Sequence, residues 1–270
     1  MEQMVEILNP MVRFAVLGSG SSANAYIFEY KGFSFIIDNG FSCREVLRRT
    51  VKLGFDPDNL KYLVLTHTHS DHLKGMEVLS RKLQLPLVRH HELDMFSHCR
   101  GGLAGEIDAV PGEKLQLGPL TLHPFETSHD SFGSLSYAFE LGDKRFCLIT
   151  DTGVITKEMM KYAVHSDILF LEANYSPEML ENGPYPWHLK KRIFSDQGHL
   201  SNDDAIDFLN HLSQVKSSRL AEVYFCHLSG TNNEPEVLEE QLRSELIWKG
   251  RYEICPKGVA VLGGYSGSIS

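Results

Sequence analysis

Three of the chain's thirteen histidines fall in one short segment. Thr66-His67-Thr68-His69-Ser70-Asp71-His72 places three imidazoles and a carboxylate within six residues, directly after the apolar run KYLVL. On an extended segment His67 and His69 project to the same side, because side chains alternate along a strand. Asp71 and His72 fall where the pattern turns from extended to helical, and that turn can aim both back at the first pair. Imidazole and carboxylate donors suit a borderline first-row ion, and aspartate beside histidine allows a second ion close by. Paired divalent ions lower the pKa of a bound water to about 7 and neutralise charge developing on an attacked group.

Later positions offer the same donors, each with an ordinary alternative. His129 in ETSHD reads equally as a surface histidine, and Asp151 in ITDTG as the start of a Thr-Gly turn. His227 in CHLSGTNN reads as a core histidine ending a strand. Glu172 ends the apolar run DILFLEAN, where an acidic side chain needs a reason. His199 stands just before Ser201, a predicted helix N-cap with Asp204 three residues on. A Glu172–His199 pair beside a metal centre suits proton donation to a leaving alkoxide. Its alternative is a structural hydrogen bond. The candidate catalytic residues are therefore Asp71, His199 and Glu172. Gly18–Asn24 is a Gly/Ser loop whose N–H groups and hydroxyls can form an anion-binding concavity or a plain turn. Ser21, Ser22, Asn24 and Ser201 are the candidate substrate contacts.

The elements that must position these residues follow from periodicity. Short β-branched or aromatic runs over 11–18, 23–30 and 33–38 predict a strand meander. Residues 42–53 place Val46, Leu47 and Leu53 at helical spacing, with Gly54 as a stop. A strand over 61–67 carries the first histidine, and 72–84 reads as one helix closed by Pro86. KLQLGPLTLHPFET, LSYAFELG and KRFCLITDTG read as further strands, followed by a helical patch near 156–163. A buried strand over 167–174, a helix from Ser201 to Leu212, a strand over 222–229 and a helix over 235–250 complete the pattern. With no repeat or linker, two strand-rich halves finished by helices predict one α/β domain over 1–270, an αββα sandwich.

Composition narrows the class of partner. Lys and Arg number 26 against 35 Asp and Glu, for a net charge of −9, so the overall field does not attract nucleic acid. Bound divalent ions would supply positive charge where phosphates sit, so a nuclease stays open. No apolar run is long enough to span a bilayer, and the opening MEQMVEILNP lacks the pattern of a secretory signal. Five scattered cysteines without a C-x-x-C pair fit a reducing cytoplasm. His90-His91 with His98 reads as a solvated segment, and Lys190-Lys191-Arg192 either as a nucleic-acid contact or as a solvated helix face.

His-x-His-x-Asp-His after a strand resembles the signature of the metallo-β-lactamase superfamily, with Asp38, His129, Asp151 and His227 following in the family's order. The resemblance implies that His67, His69 and His129 hold one metal, that Asp71, His72 and His227 hold a second, and that Asp151 bridges them. Asp38 would position the ligand loop. Glu172 and His199 resemble the leaving-group pair of the phosphodiesterase branch, which includes tRNA 3′-processing endonucleases and PhnP-type phosphodiesterases. GSGSSANA, IIDNGFSCREV, THTHSDHLKG, the stretch LEANYSPEML through FSDQGHLSNDDA, and HLSGTNN are together similar to the YycJ (WalJ) family of 5′→3′ DNA exonucleases implicated in DNA repair. Ala23 departs from the family's usual Gly, and the segment from His90 to Gly105 matches no family pattern. The expectation is a cytoplasmic phosphodiesterase with two Zn or Mn ions per chain, acting on DNA ahead of RNA, with no membrane and no obligate protein partner. The alternatives are a small-molecule metallohydrolase acting on a cyclic phosphodiester or thioester, and a non-catalytic metal-bound module.

Overall fold

Two mixed sheets face each other in the computed structural model, which describes residues 12–263. MEQMVEILNP, the first residue of the predicted 11–18 strand and both ends of the predicted 1–270 domain lie outside the described residues. The first sheet contains β1 (Arg13–Gly18), β2 (Ala25–Tyr30), β3 (Phe33–Ile37), β4 (Leu60–Val64), β5 (Leu87–His90) and β6 (Glu106–Ala109). The second contains β7 (Leu115–Leu117), β8 (Leu120–Glu126), β9 (Leu135–Leu141), β10 (Lys144–Ile149), β11 (Ile168–Glu172), β12 (Glu222–Cys226) and β13 (Arg251–Ile254). A last strand, β14 (Val261–Gly263), returns to pair with β1. Each sheet starts antiparallel and becomes parallel, at β3–β4 in the first and at β10–β11 in the second.

Strand alternation decides which layer each side chain joins. Phe14 and Val16 of β1 enter the space between the sheets, whereas Ala15 and Leu17 face the opposite way. Phe28 and Phe35 of the first sheet meet Phe139, Phe146 and Phe170 of the second, with Phe28 and Phe139 edge-to-face at 4.8 Å. The outer face of the first sheet is covered by α1 (Cys43–Lys52) and by a short pair, α2 (Ser70–Leu73) and α3 (Met76–Leu83). On the second sheet α4 (Lys157–Val164) packs outside. Two further short helices, α5 (Pro177–Asn182) and α6 (Trp187–Ile193), precede α7 (Asn202–Ser213), which with α8 (Pro235–Glu245) also covers the second sheet. With helices outside both sheets, this is the αββα sandwich expected from the sequence.

The single helix expected over 72–84 is two helices broken at Gly75. The backbone of residues 39–41 crosses the turn between them. Asn39 N–H donates to His72 O at 2.7 Å, and Gly75 N–H donates to Asn39 O at 2.9 Å. A Cβ on Gly75 would lie 1.9 Å from Phe41 O, and one on Gly40 would lie 1.9 Å from Asp71 O. Only glycine allows this approach, and the approach fixes the backbone of Asp71 and His72. The sequence reading also missed β5, β6, β13, β14 and α5, all short elements with little room to display a period, and α8 stops at Glu245.

Candidate metal centre

The candidate residues gather where strands of both sheets end. Asp38 follows β3, His67 lies three residues beyond β4, Asp151 two beyond β10, Glu172 ends β11, and His227 follows β12. Asp38, Asp151 and His227 hold φ values of 58°, 54° and 59°. The left-handed region is unfavourable for residues other than glycine, and such strain persists where the surroundings over-determine it, commonly at functional sites. Here it turns three side chains toward one point at the junction of the sheets.

Ligand-type atoms of His67, His69 and His129 lie within 4.8 Å of one another, as do those of Asp71, His72 and His227. Asp151 faces both groups. Its Oδ2 is 3.3 Å from His72 Nε2, and its Oδ1 is 3.8 Å from His129 Nε2 and 3.5 Å from His227 Nδ1. His67 Nε2 and His227 Nε2 are buried with no hydrogen-bond partner. An orphaned buried imidazole nitrogen is costly unless something else pairs with it. A metal ion would supply that partner, so the donor set fits divalent ions. A further grouping, Asp151, Glu172, His199 and His227, also has ligand-type atoms in reach. There Glu172 is already saturated: Oε1 accepts from His199 Nδ1 and His227 Nδ1, both at 2.8 Å, and Oε2 accepts from Thr152 N and Leu200 N. That grouping is a hydrogen-bond network.

Electrostatics separate the imidazoles. Burial pushes His67 well below its ordinary value, reinforced by His72, so it is neutral and available as a donor. Burial opposes charge on His72 as well, but Asp151 and Asp38 prevail and raise it to about 10. His227 is raised well above its ordinary value against burial, chiefly by Asp151 and then by Asp71 and Glu172. Asp71 and Asp151 are held well below the usual carboxylate range by these histidines, again against burial. His72 carries its extra proton below about pH 10, so an ion bound at this candidate ligand at neutral pH would have to expel it. Titration of metal into the apoprotein should show heats that vary with buffer ionisation enthalpy and affinity that climbs with pH. Buffer-independent heats would contradict this assignment.

Comparison with known proteins now bears on this geometry. The β-lactamase superfamily domain matches residues 34–227. Exodeoxyribonuclease WalJ of Streptococcus pneumoniae is 31% identical over 240 residues, 87% of this chain and 88% of that protein. Exodeoxyribonuclease YycJ of Bacillus anthracis is 31% identical over 244 residues, 88% of this chain and 90% of that protein. The chain belongs to the metallo-β-lactamase superfamily, in the WalJ/YycJ family. The metallo-β-lactamase fold protein YhfI from Bacillus subtilis superposes with a TM-score of 0.72 at 18% identity, over 94% of this chain and 100% of that one. This family member is a metal-dependent hydrolase.

Around the candidate ligands of this hydrolase, the supporting contacts are unevenly distributed. Asp38 is fully buried; it accepts from Thr66 N at 2.9 Å, Thr66 Oγ1 at 2.8 Å and His72 Nδ1 at 2.7 Å. It therefore braces the ligand loop and turns His72 Nε2 toward the centre. Asn24 was expected at the substrate and is instead fully buried, with Nδ2 donating to Asp71 Oδ2 at 3.2 Å and Oδ1 accepting from Gly20 N. The Gly20 N–H is thereby unavailable to an anion, whereas Ser21 and Ser22 are exposed. Ser201 commits its hydroxyl to Asp204 as the cap of α7.

Other findings correct the sequence reading. His91 and His98 are exposed, but His90 is buried at the end of β5 because that segment is a strand, not a solvated loop. Of the basic run, Arg192 forms a two-pronged ion pair with Asp130, and Lys190 Nζ donates to Glu181 O at 2.6 Å. Only Lys191 of the three is exposed without such a contact among the described residues. Sequence reasoning missed Asp130, whose Oδ1 lies 3.5 Å from His129 Nε2 and 3.7 Å from His69 Nε2. The adjacent acid in ETSHD was the available signal. It also missed Gly198, whose carbonyl accepts from His129 Nδ1 at 3.1 Å and ties the His199 segment to the first ligand group.

Proposed function

We propose that this chain is a dinuclear phosphodiesterase of one catalytic domain that removes nucleotides from DNA, starting at the 5′ end. The observation that carries the phosphodiesterase reading is the Glu172–His199 contact of 2.8 Å, with His199 Nδ1 3.7 Å from Asp151 Oδ1. DNA as the substrate is supported by the two exodeoxyribonucleases that match nearly the whole chain. His67, His69 and His129 would hold one ion, and Asp71, His72 and His227 the other, with Asp151 between them. Bound divalent ions supply Lewis acidity, activating water near neutral pH and neutralising phosphate charge.

The chain's own residues do the rest. Asp38 fixes the tautomer of His72, and Glu172 fixes that of His227, so each imidazole presents Nε2 to the centre. Glu172 also accepts a hydrogen bond from His199 Nδ1–H, which leaves the Nε2–H of His199 to hand a proton to the departing oxygen. The setting proposed with it is DNA repair in a reducing compartment, which the five buried, unpaired cysteines fit.

The test uses Mn- and Zn-loaded protein with 5′- and 3′-labelled DNA and RNA, a cyclic phosphodiester and a thioester. We expect nucleotide release from DNA 5′ ends, activity that falls steeply with salt through loss of phosphate contacts, and about two ions per chain by elemental analysis. Turnover of the thioester or cyclic compound without any DNA product would replace the nuclease reading with the small-substrate one, which the −9 net charge favours. Metal content that saturates at one would sink the dinuclear arrangement.

A further inference from the structure

Beyond His129, in the loop that follows it and at the end of β5, three rings come together. His90 ends β5, with its ring 4.6 Å from that of His91 at an interplanar angle of 31°. The Phe132 ring lies 6.1 Å from His90, tilted by 62°, and Phe132 is 68% exposed. Phe132 is three residues beyond His129 and two beyond Asp130, which Arg192 grips.

Its backbone is fixed on both sides. Leu135 N–H donates to Thr66 O at 2.9 Å, next to His67, and Ser131 Oγ is 3.3 Å from Thr68 Oγ1, between the ligands His67 and His69. Gly133, at φ 67°, packs so closely that a Cβ there would lie 3.1 Å from both His90 and Leu93. A large apolar ring is thus held on a pinned loop, anchored to the metal-binding segment, and left facing water. Water is a poor partner for such a face, and a flat apolar ligand is a good one.

We propose that Phe132, backed by His90 with His91 beside it, is the platform on which a nucleobase of the substrate strand stacks while its phosphate lies at the metals. This inference rests on the nuclease reading and adds where the base goes. Stacking fits an enzyme that must advance through any sequence, since every base has a π-face and the phenyl ring of Phe132 reads no base edge. It also supplies binding that does not depend on the chain's unfavourable net charge.

The experiment is fluorescence anisotropy with a nuclease-resistant phosphorothioate oligodeoxynucleotide, single-stranded and 5′-phosphorylated, and a set in which one abasic site is moved along the first positions. For the metal-loaded parent, one abasic position should weaken binding by roughly 5- to 100-fold, the usual worth of a stacked base. Phe132→Ala should weaken binding of the intact strand by a similar factor and no longer respond to that abasic site, while Phe132→Tyr keeps both the affinity and the response. Equal metal content in all three shows that the site is intact. If Phe132→Ala binds the intact strand like the parent, or keeps the abasic penalty, the platform is refuted while the nuclease reading stands. If the parent itself binds no oligonucleotide, the nuclease reading fails and takes this inference with it.

Discussion

His199→Ala should keep both metal ions and lower turnover of an alkyl phosphodiester or DNA by roughly 10²–10⁴, the usual contribution of a general acid. The residue lies outside both proposed ligand groups, and its one strong polar contact is Nδ1 to Glu172 at 2.8 Å. Its Nε2 is free to protonate an oxygen leaving from phosphorus. The loss should therefore depend on the leaving group. A p-nitrophenolate departs without a proton, so bis-p-nitrophenyl phosphate should lose far less than DNA. Metal content by elemental analysis and the pair of turnover ratios check the assignment together. Equal losses on good and poor leaving groups, or a missing ion, would reduce His199 to a structural or ligating role.

How much of this was legible before the structure depends on how local each signal is. His67 to His72 could be read directly, because a strand and a turn bring four donors together with no help from the rest of the chain. The sandwich was legible from the order of elements: two strand-rich halves, each finished by helices, bury their apolar runs by packing face to face. The contacts around the ligands were not legible in the same way. Arg192 reaches Asp130 across 62 positions, and His129 reaches Gly198 across 69, and neither leaves a periodic trace. Asn24 sits in a Gly/Ser loop that suggests an exposed anion site, yet its amide is drawn inside by Asp71, 47 positions away. The break in the 72–84 helix depends on the backbone of residues 39–41 lying across it, and only the packing of Gly40 and Gly75 reveals that.

Glu172 is the residue whose role changed most, and its replacement by glutamine should have the larger effect of the two. The sequence paired it with His199; the structure gives its Oε1 to His199 and His227 at once. One carboxylate thus orients both the proposed acid and a proposed metal donor. Burial works against its charge, but His199 and then His227 hold it below its ordinary value, so at neutral pH it accepts from both. Glutamine has a single acceptor oxygen, whereas Glu172 faces two imidazole N–H groups on one side and two backbone N–H groups on the other. Whichever way the amide turns, its NH₂ meets two donors, at a cost of about 1–3 kcal/mol for each buried group left unpaired. Thermal stability should therefore fall, and metal affinity at the His227 group should drop by roughly 10- to 100-fold, as for other residues that orient a ligand. At limiting metal, activity on DNA should lie below that of His199→Ala. Saturating metal should restore only the binding part and leave a deficit close to that of His199→Ala. In that state the double variant should add little, because both changes remove one proton-transfer unit. Metal affinity equal to the parent would make the His227 contact incidental. Full recovery of DNA hydrolysis with added metal would remove Glu172 from the leaving-group chemistry.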